Sequence, residues 1–354
     1  MKSFLTDPPF GKRYTHLTGR VMAVSVLFLV LFVTEFSFCD TPPAYFAYEI
    51  SPPAGVPALV NPSSIYYDRR HGEMYVADTG NDRVVIFDKR GNYLFEFADK
   101  QHLASPRSLV VDSSGHILAL CERRSDRLEE FDYDGRFLRE ISLKPSATDT
   151  TVIMANSITI DDSDRVYALC ADPGHIYVVG TDGTPVRDFP LFQDLSPSDR
   201  SQPIVGSISV VNGLLVIPIP VISALTMYKT TGEFVKLFGH AGGGPGLLSF
   251  PVATSTDGHG NILVMDKHRH TLLRYDADGT FIDELGGMGM NRGWFYHPIS
   301  ICTDDSGHCI VLQSFLSRVQ AVNLPSVKKP AGEVRVTTAQ GASAAPAAED
   351  KQTK

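Results

Sequence analysis

A unit of about 44 to 49 residues recurs along this chain and constrains its fold more than any other feature. It is clearest at residues 72–97, GEMYVADTGNDRVVIFDKRGNYLFEF, where three short β-type runs are separated by two clusters of turn-forming residues. A fourth run, SIYYD at residues 64–68, precedes them. The glycine that closes the third run recurs at Gly91, Gly135, Gly183, Gly232 and Gly279, with spacings of 44, 48, 49 and 47 residues. Four strands per unit with a period in the mid-forties predict the blades of a β-propeller.

The innermost-strand pattern occurs six times, so the chain is predicted to form six blades. Its copies lie at residues 62–68, 106–112, 155–161, 206–211, 251–257 and 298–304. The last unit has only three strands, whereas residues 45–50, YFAYEI, resemble the outer strands YLFEF and FLREI. We therefore predict an all-β, six-bladed β-propeller of four-stranded antiparallel blades over residues 43–325. The N-terminal strand is expected to close the last blade and remove the open sheet edge.

Composition and charge support a turn-rich domain and argue against nucleic acid as a partner. The 354 residues include 29 Gly and 23 Pro, and the formal net charge is −8. No basic run follows residue 40. Because phosphate binding needs clustered Lys and Arg, an acidic chain of this kind is not expected to bind RNA or DNA.

The two ends of the chain differ in composition from the repeats. Lys2, Lys12, Arg13 and Arg20 precede an apolar run at residues 21–33, which predicts a secretory signal peptide over residues 1–39. The alternative is a retained N-terminal membrane anchor, a transmembrane helix at residues 21–38. Either reading predicts export to the periplasm, cell envelope or extracellular space. Residues 326–354 are rich in Ala and Pro and are predicted to be a disordered tail.

Export would place the remaining cysteines in a compartment that permits disulfides. Those cysteines are Cys121, Cys170, Cys302 and Cys309. Cys302 and Cys309 flank the turn TDDSGH, and a hairpin there would bring them close, so we predict a disulfide between them. The alternative is that both are small apolar strand residues.

The repeats resemble the NHL repeat family of six-bladed β-propellers. The family pattern combines Pro, an apolar strand and Asp, then Gly, a strand like YVAD, Asn-x-Arg-Val and a closing Phe-Asp-x-x-Gly. Residues 62–91 match it almost fully, and the Gly-rich connectors at residues 238–251 and 285–298 also fit. The third and fourth units depart from it: Cys170 and Ile219 stand where Asp78 does, and His175 and Ala224 where Arg83 does. We also expect the propeller to be monomeric.

Residues in the turns between the second and third strands are the candidate binding residues. Propellers often place function where turns from all blades converge at one end of the central channel. The candidates at this channel mouth are Asp78, Asn81, Arg83, Glu122, Arg124, Asp266, His268 and His270. Asp266, His268 and His270 together have the donor types that bind Zn²⁺ or another divalent ion such as Ca²⁺. The alternative is structural, because Asp and Asn satisfy backbone donors in turns and Arg reaches acceptors of nearby blades.

The leading functional hypothesis is a non-catalytic scaffold in the cell envelope that binds a protein, peptide or envelope polymer. No Ser-His-Asp spacing, P-loop or dinucleotide fingerprint is present. The first alternative is a metal-dependent lyase or hydrolase at the channel mouth, because peptidyl-α-hydroxyglycine α-amidating lyase is a propeller of NHL type with a zinc site. The second is a sensor ectodomain tethered to the membrane by residues 21–38.

Overall fold

The computed structural model describes residues 45–144, 153–193, 195–196 and 204–326, which form 24 strands in six four-stranded antiparallel sheets. The innermost strands of neighbouring sheets contact each other in cyclic order, so the sheets form a closed ring. The all-β, six-bladed β-propeller is therefore confirmed. The predicted signal or anchor and most of the predicted tail lie outside the described residues. Within those residues, no helix is long and apolar enough to cross a membrane.

Each blade contributes strands A to D from the channel outward. Blade 1 has β2 (Ser64–Asp68), β3 (Glu73–Asp78), β4 (Arg83–Asp88) and β5 (Tyr93–Ala98). Blade 2 has β6 (Pro106–Val111), β7 (Ile117–Cys121), β8 (Arg127–Phe131) and β9 (Phe137–Ser142). Blade 3 has β10 (Ser157–Ile160), β11 (Arg165–Cys170), β12 (His175–Gly180) and β13 (Pro185–Pro190).

The second half of the ring is built in the same way. Blade 4 has β14 (Ser209–Val211), β15 (Leu214–Ile219), β16 (Ala224–Lys229) and β17 (Phe234–Phe238). Blade 5 has β18 (Pro251–Thr256), β19 (Ile262–Asp266), β20 (Thr271–Tyr275) and β21 (Phe281–Gly286). Blade 6 has β22 (Pro298–Thr303), β23 (His308–Gln313), β24 (Arg318–Asn323) and β1 (Tyr45–Ile50). The A–B and C–D turns lie on one face of the disc, here called the A–B face. The B–C turns and D–A loops lie on the other, the B–C face.

The N-terminal strand closes blade 6 as predicted. β1 pairs antiparallel with β24, with Tyr45 opposite Asn323 and Ile50 opposite Val319. Ile50 is 1% exposed and packs in the core between blades 6 and 1. This pairing removes the open edge that β24 would otherwise present to other chains.

The glycine that marks the repeat has two structural tasks. In the C–D turns Gly91, Gly135 and Gly183 have φ values of +80°, +79° and +88°, which favour glycine. A Cβ on Gly135 would also lie 2.2 Å from the Phe97 ring of the preceding blade. The C–D turn of blade 2 therefore packs directly on the outer strand of blade 1.

Hydroxyl groups join the inner strands at all six blade junctions. The donor–acceptor distances range from 2.5 to 3.3 Å. The pairs, in ring order, are Ser63 with Arg107, Ser108 with Ile158, Ser157 with Ile208, Ser209 with Thr254, Thr303 with Thr256, and Ser300 with Ile65. These bonds satisfy polar groups that would otherwise be left unpaired between sheets.

The predicted disulfide is wrong: Cys302 and Cys309 are free thiols in the structure. Cys302 lies opposite Ile310 and Cys309 opposite Thr303, so the two cysteines are one register position apart. Adjacent positions on a strand project to opposite faces of a sheet. Cys302 accordingly packs in the core between blades 6 and 1, and Cys309 in the core between blades 5 and 6. The alternative reading, small apolar strand residues, is the one observed.

Candidate functional site

The predicted residues of blade 1 hold the blade together. Asp78 is fully buried and accepts hydrogen bonds from Val60 N (2.6 Å), Asn81 Nδ2 (2.7 Å) and Arg83 Nε (2.6 Å). Arg83, 4% exposed, also donates to Glu96 and to the carbonyl of Pro57. Asp78 and Arg83 are both buried and bond to backbone groups of Val60 and Pro57, so they position the loop that enters blade 1.

The corresponding residues of blade 2 are less buried. Glu122 is exposed in the B–C turn, and its backbone N donates to the carbonyl of Ser105 at 3.0 Å. Arg124 bridges Glu129 (3.3 Å) and Glu140 (2.9 Å) on the outer strands. These contacts are mostly internal to blade 2, and neither residue faces the central cavity.

Asp266 carries the same loop-fixing role in blade 5. Its buried carboxylate accepts backbone hydrogen bonds from Ser249, Phe250, His268 and Arg269, at 2.6 to 3.1 Å. His268 is exposed and stacks on Phe250, with ring centroids 4.4 Å apart. A carboxylate that already satisfies four backbone donors has little capacity left for a metal ion.

His270 is a blade-junction residue. It is 7% exposed, has φ +57°, and its Nδ1 accepts a hydrogen bond from His297 N at 3.2 Å. Burial, followed by the nearby His297 and His268, lowers the pKa of His270. An imidazole that accepts at Nδ1 and is disfavoured as a cation is neutral, with its proton on Nε2.

Asp266, His268 and His270 do not form a compact ligand set in the structure. Within the described part of the chain, the one trio of candidate ligand atoms that lie within 4.8 Å of one another belongs to Asp112, His116 and Glu130. There His116 Nδ1 contacts Glu130 Oε1 at 2.8 Å, and Arg139 holds the other Glu130 oxygen. Asp112 Oδ1 accepts from the backbone of Ser114 and His116. Most of the atoms with which this trio could bind a metal ion therefore already contact other groups of the protein.

An exposed apolar surface on the B–C face was not found by sequence reasoning. Of the five large apolar side chains at least 60% exposed in the described residues, Phe315 (71%), Met288 (67%) and Met290 (60%) belong to one loop and one turn where blades 5 and 6 meet. Tyr296 contacts Phe315 edge-to-face at 5.4 Å, and His297 lies 5.7 Å from the same ring. We call Met288, Met290, Tyr296, His297 and Phe315 the apolar corner.

The loop that carries Met288 and Met290 is fixed by hydrogen bonds to side chains of β23 and β24. Arg318 donates to the carbonyls of Met290 (2.7 Å) and Trp294 (3.1 Å). Gln320 donates to Trp294 O and accepts from Gly293 N, and Gln313 accepts from Tyr296 N at 2.7 Å. The two methionines therefore project from a fixed backbone. A surface ordered before binding loses less conformational entropy when a partner arrives.

The equivalent loop between blades 4 and 5 shows that the fold does not require this surface. Both loops contain the same parallel β-bridge, Ala241 with Leu248 in one and Met288 with Phe295 in the other. The positions of Met288 and Met290 are therefore occupied by Ala241 and Gly243 in the first loop. The signal that could have located the apolar corner was this comparison of the two glycine-rich connectors.

The central cavity opens on the A–B face, opposite the predicted candidates. Its volume is about 620 Å³, and its walls come from all six inner strands. Charged residues in the A–B turns of blades 1 and 3 surround its mouth, namely Asp68, Arg69, Arg70, Asp161, Asp162 and Arg165. None of the predicted binding residues lines this cavity.

Known proteins resemble this chain in fold and, over a short stretch, in sequence. No family profile matches the chain. The Drosophila melanogaster protein brain tumor is 24% identical over 136 residues, which is 37% of this chain and only 12% of that protein. Virginiamycin B lyase from Staphylococcus aureus has a TM-score of 0.55 at 15% identity, covering 82% of this chain and 97% of the lyase. Hydrazine synthase from Kuenenia stuttgartiensis has a TM-score of 0.52 at 14% identity, covering 78% and 99%.

At identities of 13–15% the structural likeness establishes the fold alone. The similarity to NHL repeats stays a resemblance of residues, and the chain is a six-bladed β-propeller.

Proposed function

We propose that this protein is an exported, non-catalytic binding scaffold of the cell envelope that holds a protein or peptide at the apolar corner. The observation that carries the proposal is that exposed Met288 and Met290, on a loop whose backbone is already fixed, lie at the same blade junction as exposed Phe315 in the B–C turn of blade 6. Exposed apolar clusters of this kind favour protein interaction sites, and methionine side chains adapt to varied apolar partners.

The predicted lyase or hydrolase is favoured by no observation at the predicted residues. Asp266 and His270 are engaged with backbone groups, as described above. Similarity of fold to a lyase, at such low sequence identity, does not assign lyase activity to this chain. Export rests on the basic and apolar pattern of residues 1–39, and the membrane-tethered sensor remains a prediction that rests on the same segment.

Site-specific photo-crosslinking tests the docking surface. A photoreactive phenylalanine analogue is placed at Phe315 and, as the matched control, at Val221, which occupies the same B–C turn position in blade 4 and is 36% exposed. In cells of the native host we expect a discrete protein adduct from position 315 and none from position 221. Identical adducts at both positions, or no adduct at 315, would contradict the proposal.

A further inference from the structure

The central cavity offers a second binding site, distinct from the apolar corner. Its volume of about 620 Å³ lies within the range of roughly 300–1,000 Å³ that is typical of small-molecule sites. The cavity lies on the A–B face of the disc, whereas the apolar corner lies on the B–C face. A ligand in the cavity would leave the apolar corner free.

The walls of the cavity are rich in uncharged hydrogen-bonding groups. Each of the six sheets ends at the cavity in one edge strand, β2, β6, β10, β14, β18 or β22. The outer side of an edge strand presents backbone N–H and C=O groups that have no strand partner, and the junction bonds described above engage one such group at five of the six junctions. Ser and Thr residues line the same walls, among them the partly exposed Thr159 and Ser207.

The charges at the mouth are balanced and largely neutralise one another. Three acidic and three basic residues line it. Arg69 pairs with Asp305 at 3.1 Å, Arg165 pairs with Asp161 at 2.7 Å, and Asp68 contacts His71. Arg70 makes an ion contact with Asp164 at 3.8 Å, and Asp162 is exposed. No excess of either sign favours an anion or a cation.

Apolar side chains alternate with the polar groups, so the cavity is amphipathic. Ile160, Val210 and the partly exposed Tyr66 lie among its lining residues. A sugar ring has the complementary character, with hydroxyls around its edge and C–H groups on its faces. We propose that the central cavity binds an uncharged saccharide of one to three sugar units, entering through the A–B face.

A matched pair of substitutions tests this site. Ser163 and Ser114 occupy the same position in the A–B turns of blades 3 and 2, both are exposed, and each turn uses only their backbone N, at 2.9 Å. Ser163 lines the cavity, whereas Ser114 does not. Ser163→Trp should therefore obstruct the mouth, and Ser114→Trp should add the same side chain away from it.

Binding is measured by saturation-transfer NMR and calorimetry against neutral mono-, di- and trisaccharides of hexose and N-acetylhexosamine, with a hexuronate, glucosamine and free amino acids for comparison. We expect a neutral saccharide to bind, affinity to fall at least tenfold in Ser163→Trp and stay unchanged in Ser114→Trp, and little change between low and high salt. Thermal melting of both variants establishes that they fold. Failure of every neutral saccharide, preference for a charged compound, or equal losses in both variants would overturn the proposal.

Discussion

His270 Nδ1 accepts the backbone N–H of His297 across the junction of blades 5 and 6 at 3.2 Å. The same junction bond occurs between Ser317 Oγ and Asn61 N (3.3 Å), and between Asp82 Oδ1 and Ser105 N (2.7 Å). His270, Ser317 and Asp82 all adopt positive φ at the end of a B–C turn. The imidazole that looked like a metal ligand in the sequence is thus one member of a recurring structural set.

Acid should weaken this junction. The unfolded chain protonates the imidazole near pH 6.5, whereas the folded chain, with a lowered pKa, resists protonation. Below that pH the unfolded state therefore binds more protons, and stability falls as pH falls from 6.5 toward the lowered pKa. In His270→Ser, which copies Ser317, the difference in Tm between pH 7.5 and 5.5 should be smaller than in the wild type. Equal differences would contradict this role.

Two equivalent glycines should differ in their tolerance of alanine. Gly135→Ala and Gly183→Ala both impose a positive φ on alanine, a cost of about 1–2 kcal/mol. Gly183 has nothing within 4 Å of an added Cβ, whereas Gly135 meets the Phe97 ring. We expect Gly135→Ala to lose about 1–3 kcal/mol more in urea unfolding, because the blades must move apart. Similar losses would show that blade contact does not restrict this position.

The Asp78–Arg83 pair should behave as a unit. Asp78→Ala removes the fully buried one of the two carboxylates that pair with Arg83, and breaking a buried ion pair typically costs about 3–5 kcal/mol. Asp78→Ile with Arg83→Ala reproduces the pair of blade 4, where Ile219 lies opposite Ala224. In a double-mutant cycle with Asp78→Ile and Arg83→Ala as the single variants, the double variant should lose less stability than the sum of the two single losses. Additive losses would contradict a coupled pair.

The four cysteines of the propeller should react as thiols only after unfolding. Burial raises the pKa of Cys121 and of Cys170 to about 12, and raises that of Cys302 and of Cys309 as well. Buried protonated thiols are poor nucleophiles. Alkylation followed by peptide mass mapping should therefore find all four unmodified in native buffer and all four modified in denaturant without reductant. Modification of Cys121 and Cys170 alone in denaturant would restore the predicted disulfide.

The sequence predicted the ring because its architecture depends on local, repeated signals. Gly135 and its equivalents satisfy turn geometry in the first five blades, and residues 45–50 carry the same strand pattern as other outer strands. Each of these features is visible within a few residues, so the count of blades and the closure by β1 followed directly.

The candidate surfaces could not be predicted in the same way because they depend on contacts between distant residues. Phe315 and Met288 are 27 positions apart, and nothing in either segment alone indicates that both stay exposed. His268 and His270 were predicted as metal ligands together with Asp266. The carboxylate of Asp266, however, accepts hydrogen bonds from backbone N–H groups that the sequence does not reveal. Hydrogen-bond saturation and relative exposure are properties of the folded chain.

The affinity of the crosslinked partner for Phe315→Ser tests the central claim most directly. Phe315 is 71% exposed, so the substitution should leave Tm unchanged, and Val221→Ser serves as the matched control. Loss of a central aromatic contact typically costs a binding interface about 2 kcal/mol or more. Since about 1.4 kcal/mol corresponds to a factor of ten in Kd, we expect at least a tenfold increase in Kd for Phe315→Ser and no change for Val221→Ser. An unchanged Kd for Phe315→Ser would contradict the account.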